Sequence, residues 1–440
     1  MIDRYARPAM KHVWSEENKL ETWLKVELAV CEAWTAKGLI PPEDMAKLRD
    51  ARHDMARYEE IFERTRHDMT AFTRSITAGL GPEGRWIHHG LTSNDVIDTA
   101  QGLQIAEAAD LLDADMSALL EVLQARALEH KGTIMIGRTH GIHAEPITFG
   151  LKLAMWVEEL RRGRERLARA KAEAAVGKIA GVVGTYATIP PDIEERVCAD
   201  LGLGREPVSN QVVQRDRHAQ FVATLALIAA SLEKFATEVR HLQRTEVREV
   251  QEPFAAGQTG SSAMPHKRNP ELAERVCGLA RVIRGYVVPA YESVALWHER
   301  DISNSSAERI TLPDSCMALD YILDLFTFIL RGLKVFPERM RQNLELTRGA
   351  IFSERVLLAL IERGMTREQG YEIMQRHAHR AWDEGLDFRD LLRADTEVAR
   401  CLSKEELEAL FDYGFYVRYV DDIFGRLEWT RGPGAGSGLF

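Results

Sequence analysis

The segment Phe221-Val222-Ala223-Thr224-Leu225-Ala226-Leu227-Ile228-Ala229-Ala230-Ser231-Leu232-Glu233-Lys234-Phe235-Ala236-Thr237-Glu238-Val239-Arg240-His241-Leu242 decides the fold class. Leu225, Ile228, Leu232, Phe235, Val239 and Leu242 step by three and four residues in alternation. That spacing keeps one apolar face on a helix and is the seam of helices packed nearly parallel. The same alternation returns in Ile105, Ala109, Leu112, Met116, Leu119 and Leu123. It returns again in Leu319, Ile322, Phe326, Ile329 and Leu333, and in Leu272, Val276, Leu279 and Ile283. Phe149, Leu153, Trp156, Leu160 and Leu167 form another such stripe, with Gly163 at its gap. No stretch sustains period-two alternation with β-branched enrichment, so strand content is expected to be minor. The pattern predicts an all-α protein built on one extended bundle of long helices. Leu120 and Leu227 lie off the main stripes. Apolar residues on a second face predict that the bundle packs against copies of itself.

Outward from the bundle, the N-terminal region to about Leu91 reads as shorter helices broken at Gly38 to Pro42 and at Gly79 to Gly84. Polar residues at Thr92-Ser93-Asn94-Asp95 introduce the first long helix. Phe336-Pro337 begins a run of shorter helices. The expected segments are therefore residues 1–91, a central bundle over 92–336 with a loop at 257–270, and a C-terminal helical segment over 337–430. The Gly-rich residues 431–440 read as a disordered tail.

Composition narrows the function. A chain of 440 residues with 45% hydrophobic and 28% charged residues fits a water-soluble globular protein. A net charge of −10 argues against nucleic acid as a partner, and any anionic substrate then needs a local basic pocket. Five cysteines lie far apart with no CxxC pair, as expected of reduced thiols. The start of the chain has no signal-peptide pattern, and the apolar run Phe221 to Leu232 stops at Glu233-Lys234, too short to span a membrane. A cytoplasmic protein is expected. His88/His89 and His140/His143 lack a third ligand at a recognisable spacing, so no metal is expected. Gly181 and Gly184 follow a helix and make no phosphate-loop fingerprint, and no cofactor is expected.

Several strings carry groups suited to proton transfer and anion binding. Gly260-Ser261-Ser262-Ala263-Met264-Pro265-His266-Lys267-Arg268-Asn269-Pro270, preceded by Ala255-Ala256-Gly257-Gln258-Thr259, reads as a mobile loop between helices. Its hydroxyls, amides and Lys267 suit closure over an anion. Arg138-Thr139-His140-Gly141-Ile142-His143 reads as a turn ahead of a helix that starts near Thr148, with two imidazoles that titrate near neutral pH. Thr65-Arg66-His67-Asp68 sets a cation, an imidazole and a carboxylate side by side, with Asp68 placed to orient His67 or to hold a hydroxyl group. Thr92-Ser93 at a helix start suits a carboxylate or phosphate.

In wording and in order, these strings resemble the adenylosuccinate lyases of the fumarase/aspartase superfamily. The likeness runs from Arg4 to the helices after Arg309, and the last hundred or so residues carry no motif that can be placed. The resemblance implies a three-domain, all-α fold whose long helices form a tetrameric core with active sites shared between subunits. It implies release of fumarate from adenylosuccinate, giving AMP, and from the succinyl-carboxamide imidazole ribotide (SAICAR), giving AICAR. By the same resemblance His140 is the general acid and Ser261 the general base; without it, Ser261 and Ser262 are not separable. His67 supports catalysis, Lys267 clamps the carboxylate, and Glu274 orders the loop or pairs with a histidine. Arg66, Asp68, Thr92, Ser93, Thr139, Ser262, Met264 and Asn269 contact substrate, and Gln214 binds its succinyl part. Arg4, Tyr5 and Arg275 serve the phosphate region; Arg300, Ser305 and Arg309 serve the phosphate and base. His143 does not match the position of the acid, and a supporting or structural role is expected of it. The chain departs from the family pattern at Asn94, where relatives often carry Ser, and at Asn304, where they often carry His. The alternatives are a sister lyase acting on argininosuccinate, a carboxymuconate cycloisomerase, or a catalytically idle homologue.

Overall fold

In the computed structural model, which describes residues 1–255 and 257–430, the five apolar stripes lie on five helices: Ser93–Glu129, Phe149–Ala174, Asp216–Gln243, Glu271–Gly285 and Ser303–Arg331. Leu225, Ile228, Leu232, Phe235, Val239 and Leu242 are all buried, as are the full stripes from Ile105 to Leu123 and from Leu319 to Leu333. The gap at Gly163 has a physical cause. A Cβ there would stand 3.3 Å from Met116 Cε and 3.5 Å from Ile228 Cγ1, so glycine lets three helices approach. Leu120 is buried, whereas Leu227 is 49% exposed. The Asp216–Gln243 helix runs on through Glu233-Lys234 and is long and apolar enough to cross a membrane by length and composition alone. Its apolar window is 61% buried within the protein, which is how a core helix passes that test. The expected tail at 431–440 and Ala256 lie outside the described residues.

The chain forms two compact units. One comprises Met1–Leu119, Leu160–Ala236 and Glu274–Thr327. Its N-terminal helices, Glu16–Ala36, Pro42–Leu48, Met55–Thr65 and Asp68–Thr77, break at Gly38 to Pro42 and at Gly79 to Gly84 as expected. They start where Ser15, Asp54 and His67 accept a backbone N–H at the cap and where Pro42 opens a first turn. Trp23, Phe72, Val96, Ile179 and Ile193 share their core.

The other unit comprises Leu120–Glu159, Thr237–Ala273 and the chain from Phe328 onward. Its short C-terminal helices run from Pro337–Leu344 to Val420–Gly425, two of them opened by capping boxes at Thr366 and Ser403.

This second unit holds a departure from expectation. The turn ahead of Thr148 is the tip of an antiparallel hairpin, Ile134–Thr139 paired with Ile142–Thr148. The pairing shifts register between Ile136 and Arg138, so the side chains do not keep a clean period of two. His140 and Gly141 connect the strands with φ of 55° and 80°. A two-residue type I′ hairpin turn needs positive φ at both positions.

In the first unit, charge fixes the start of two long helices. Arg215, 3% exposed, donates to Asp98 Oδ2 at 2.7 Å and Oδ1 at 3.0 Å, and to Glu308 Oε1 at 2.8 Å and Oε2 at 3.2 Å. Burial alone would raise the Asp98 pKa, but Arg215 and the Val213 amide hold it below the usual carboxylate value. Asp98 therefore stabilises the fold fully above about pH 3.9, its unfolded value, and that contribution fades as pH falls through the lower folded value.

Two substitutions test this packing. Gly163→Leu should lower stability by about 1–3 kcal/mol or more, because the new side chain must displace Met116 and Ile228. Arg215→Met should cost about 3–5 kcal/mol, because Asp98 and Glu308 stay buried without their cation. Denaturant melts against the parent protein measure both.

Candidate active site

The candidate residues gather first around the N-terminus. Asp3–Tyr5 is a single 3₁₀ turn. The Tyr5 ring meets the Tyr321 ring edge-on at 5.2 Å, and the Tyr321 hydroxyl accepts from Arg275 at 2.9 Å. Arg4, Tyr5 and Arg275 thus come together through Tyr321, which sequence reasoning did not single out. Arg7 anchors this segment, donating to Asp115 at 2.7 Å and to Asp320 at 2.9 Å.

Arg66 ends the Met55–Thr65 helix with φ of 54° and is exposed. His67 caps the next helix, its Nδ1 accepting the Thr70 N–H at 3.2 Å. An accepting Nδ1 places the proton of the neutral ring on Nε2. Asp68 does not orient His67. It accepts from the Tyr58 hydroxyl at 2.8 Å and from Arg309 at 2.8 Å. Burial opposes its charge, but Tyr58 and Arg309 together hold the Asp68 carboxyl below its usual value.

Thr92 precedes the Ser93–Glu129 helix, and its N–H donates to Asp95 at 2.8 Å. Asp95 also accepts from the buried Lys178 ammonium at 2.7 Å and from the amides of Ala180 and Gly181. The Gly181 amide is spent on a carboxylate. Thr92 and Ser93 themselves are half-buried.

A cavity of about 160 Å³ opens beside these helix starts. Arg300, Ser305 and Arg309 line it, together with Asn94, Asn304 and Gln101. Arg300 donates to Gln211 at 3.2 Å. Burial lowers its pKa, and the nearby Asp98 and Glu308 offset only part of that. Gln214 lies outside this lining: its amide donates to Asn210 at 3.1 Å and its side chain is exposed. Sequence reasoning missed Arg215, Asp98 and Glu308, which set this cavity's frame. A signal was present in Asn94 with Asp98 and Asn304 with Glu308, two Asn-to-acid pairs four residues apart at helix starts.

The second unit carries the remaining candidates. Thr139 and His140 are exposed at the hairpin. Arg138 beside them makes a two-pronged bond to the fully buried Glu249, at 3.0 and 2.7 Å, and Asn343 donates to Glu249 at 2.7 Å. His143, opposite Arg138, is half-buried; burial and then the Arg138 charge lower its pKa. That is a structural environment, consistent with a supporting role.

In the loop ahead of Glu271, Ser261 Oγ accepts the backbone N–H of Ala263 at 3.3 Å and of Met264 at 3.1 Å. Asn269 donates to the Gly260 carbonyl at 3.0 Å and the Lys267 N–H to the Met264 carbonyl at 3.1 Å, closing the loop on itself. Ser261, Ser262 and Asn269 line a cavity of about 280 Å³ with Phe254, Gln258 and Glu271. Ser262, Met264 and Lys267 are exposed. Glu252 accepts the amides of Leu272 and Ala273, capping the following helix, on which Glu274 is exposed. Among the described residues no group of three or more His, Cys, Asp or Glu side chains is placed to hold a metal ion.

Known proteins match this chain over most of its length. A family model described as "Lyase" matches residues 3–285, and one described as "Adenylosuccinate lyase C-terminus" matches residues 349–427, where sequence reasoning placed no motif. The adenylosuccinate lyase of Bacillus subtilis (strain 168) is 53% identical over 428 residues, covering 97% of this chain and 99% of that protein. Among solved structures, a fumarate lyase from Mesorhizobium sp. BNC1 superposes with a TM-score of 0.88 at 28% identity, covering 97% of this chain and 100% of that one. A 3-carboxy-cis,cis-muconate lactonizing enzyme from Pseudomonas putida gives 0.86 at 32% identity, with 94% and 95% covered. These neighbours share the fumarase/aspartase-like fold. The long matches to the lyase family model and to the Bacillus enzyme, together with the C-terminal match, decide among its branches: this chain belongs to the adenylosuccinate lyase family.

Proposed function

We propose that the chain catalyses β-elimination of fumarate from adenylosuccinate, giving AMP, and from SAICAR, giving AICAR. The observation that carries this reading is the pair of backbone N–H groups on Ser261 Oγ, inside the loop whose wording marks the family. Elimination needs a base for a weakly acidic C–H, an acid for the leaving nitrogen and cations for the developing charge. Ser261 removes the proton from the succinyl carbon beside a carboxylate. The electron pair delocalises onto that carboxylate, and Lys267 with the loop amides meets the added charge. The C–N bond breaks, fumarate forms, and His140 protonates the leaving nitrogen. A serine alkoxide is a poor base in water. Two amide donors stabilise it, and loop closure over substrate excludes water. Among the described residues this pair of amide donors falls on Ser261 Oγ and not on the Ser262 hydroxyl, which favours Ser261 of the two.

Substrate binding divides by unit. In the first, Arg4, Tyr5, Arg275, Arg300, Ser305 and Arg309 serve the phosphate and base. Arg66, His67, Asp68, Thr92, Ser93 and Gln214 serve the rest of the substrate there. In the second, Thr139, Ser262, Met264 and Asn269 flank the acid and the base; Glu274, which follows the loop, begins a segment of the first unit. The three segments 1–91, 92–336 and 337–430 act as domains. The bundle assembles into a cytoplasmic homotetramer whose sites draw on several subunits. Leu227, Val282 and Ile310 in the first unit and Met155 and Phe328 in the second, at 43–56% exposure on bundle helices, support apolar surface on each unit that other copies cover.

Ser261→Ala and His140→Ala should each lower turnover by at least ~10³ while substrate still binds, as measured by steady-state assay and by titration. Near-parental turnover in Ser261→Ala removes Ser261 from the base role. Mixing the two inactive variants and allowing subunits to exchange should recover part of the activity. No recovery contradicts shared sites.

A further inference from the structure

Asn94 and Asn304 occupy the first turns of the Ser93–Glu129 and Ser303–Arg331 helices, and each points its amide nitrogen at an acid four residues on. Asn94 Nδ2 donates to Asp98 at 3.0 Å and Asn304 Nδ2 to Glu308 at 3.0 Å. Both acids are held by Arg215. A carboxylate only accepts, so each amide must present nitrogen to it, and the orientation of each oxygen follows. Asn94 is 2% exposed and Asn304 1%, and neither Oδ1 accepts a hydrogen bond within the described residues. Both line the cavity of about 160 Å³. Gln101 lines it too, with a buried Oε1 likewise unmatched, and Arg300 with a buried Nε–H that finds no acceptor. Buried polar atoms are nearly always matched, because leaving them so is costly. Trp14 lines the cavity as well, with a buried Nε1–H that finds no acceptor, and three acceptors and two donors in one cavity describe the complement of a ligand.

Resting on the function proposed above, we propose that Asn94, Asn304 and Gln101 form an acceptor site that reads an exocyclic amino group on the substrate's heterocycle. The three amide oxygens suit a donor and not an anion, while Lys19, Arg300 and Arg309 in the same lining supply the cations that a phosphate needs. The volume suits a single small ring, since a cavity of about 150 Å³ takes up benzene. The aminoimidazole of SAICAR carries a free –NH₂ beside its carboxamide. The corresponding atom of adenylosuccinate is a ring nitrogen, which has no hydrogen to give. The Arg300 Nε–H and the Trp14 Nε1–H supply donors for acceptors on either ring. Asn94 and Asn304 come from two different long helices and meet in this one cavity. The site therefore tilts the enzyme toward the imidazole substrate.

The test compares kcat/KM for SAICAR and for adenylosuccinate in the parent enzyme and in Asn94→Leu and Asn304→Leu, which remove the acceptor at similar volume. The ratio of SAICAR to adenylosuccinate should fall on the order of tenfold in each variant. An unchanged ratio, or a fall confined to adenylosuccinate, overturns the proposal. If the variants fail to fold, the parent enzyme serves: calorimetric titration with AICAR and with imidazole-4-carboxamide ribotide, which lacks the amino group. The second should bind on the order of tenfold more weakly, and equal affinity overturns the proposal. A parent enzyme that cleaves neither substrate would instead overturn the functional reading itself.

Discussion

Arg215 takes two carboxylates out of water and, through them, holds the first turns of two long helices. A guanidinium only 3% exposed is tolerable because Asp98 and Glu308 meet it with four short bonds. Those acids must then sit one turn inside their helices, and that fixes what stands in the turn before them. Asn94 and Asn304 turn nitrogen toward the acids and keep oxygen for the cavity. Arg300 is pressed into the same space. The polar lining of the nucleotide end of the proposed site follows from a buried charge that must be balanced.

The second unit solves the same problem for the proposed acid and base. The half-buried Arg138 makes a two-pronged bond to the fully buried Glu249 next to Thr139 and His140, and so ties down the hairpin tip. Glu252, three residues further on, takes the amides of Leu272 and Ala273 and ends the loop that carries Ser261. Within that loop the Ser261 oxygen receives two amide protons. Donors already aimed at the oxygen lower the cost of making it an alkoxide, which the proposed elimination requires.

Much of this could be read before any coordinates. The stripes were legible because a helix repeats its face every three or four residues, and burial of Leu225, Phe235, Ile322 and their neighbours follows from that geometry alone. The strings at Arg66, His140 and Ser261 were legible because their wording is ordered and long. The hairpin was not. Its register shift after Ile136 breaks the alternation, and a His-Gly turn is a weaker signal than Asn-Gly. The Arg215 network was not legible either, because residues 98, 215 and 308 lie about a hundred positions apart and no spacing rule joins them. Asp68 was read as a possible partner of His67, its neighbour. In the fold a hydroxyl from the preceding helix and Arg309, 241 positions away, reach it instead.

The central claim is that this chain releases fumarate from a succinylated purine nucleotide. The most direct measurement follows the ultraviolet absorbance of adenylosuccinate, and separately of argininosuccinate, after addition of the purified protein. Conversion of adenylosuccinate to AMP and fumarate, with argininosuccinate untouched, is the predicted result. Cleavage of argininosuccinate, or no change with adenylosuccinate, would contradict the account.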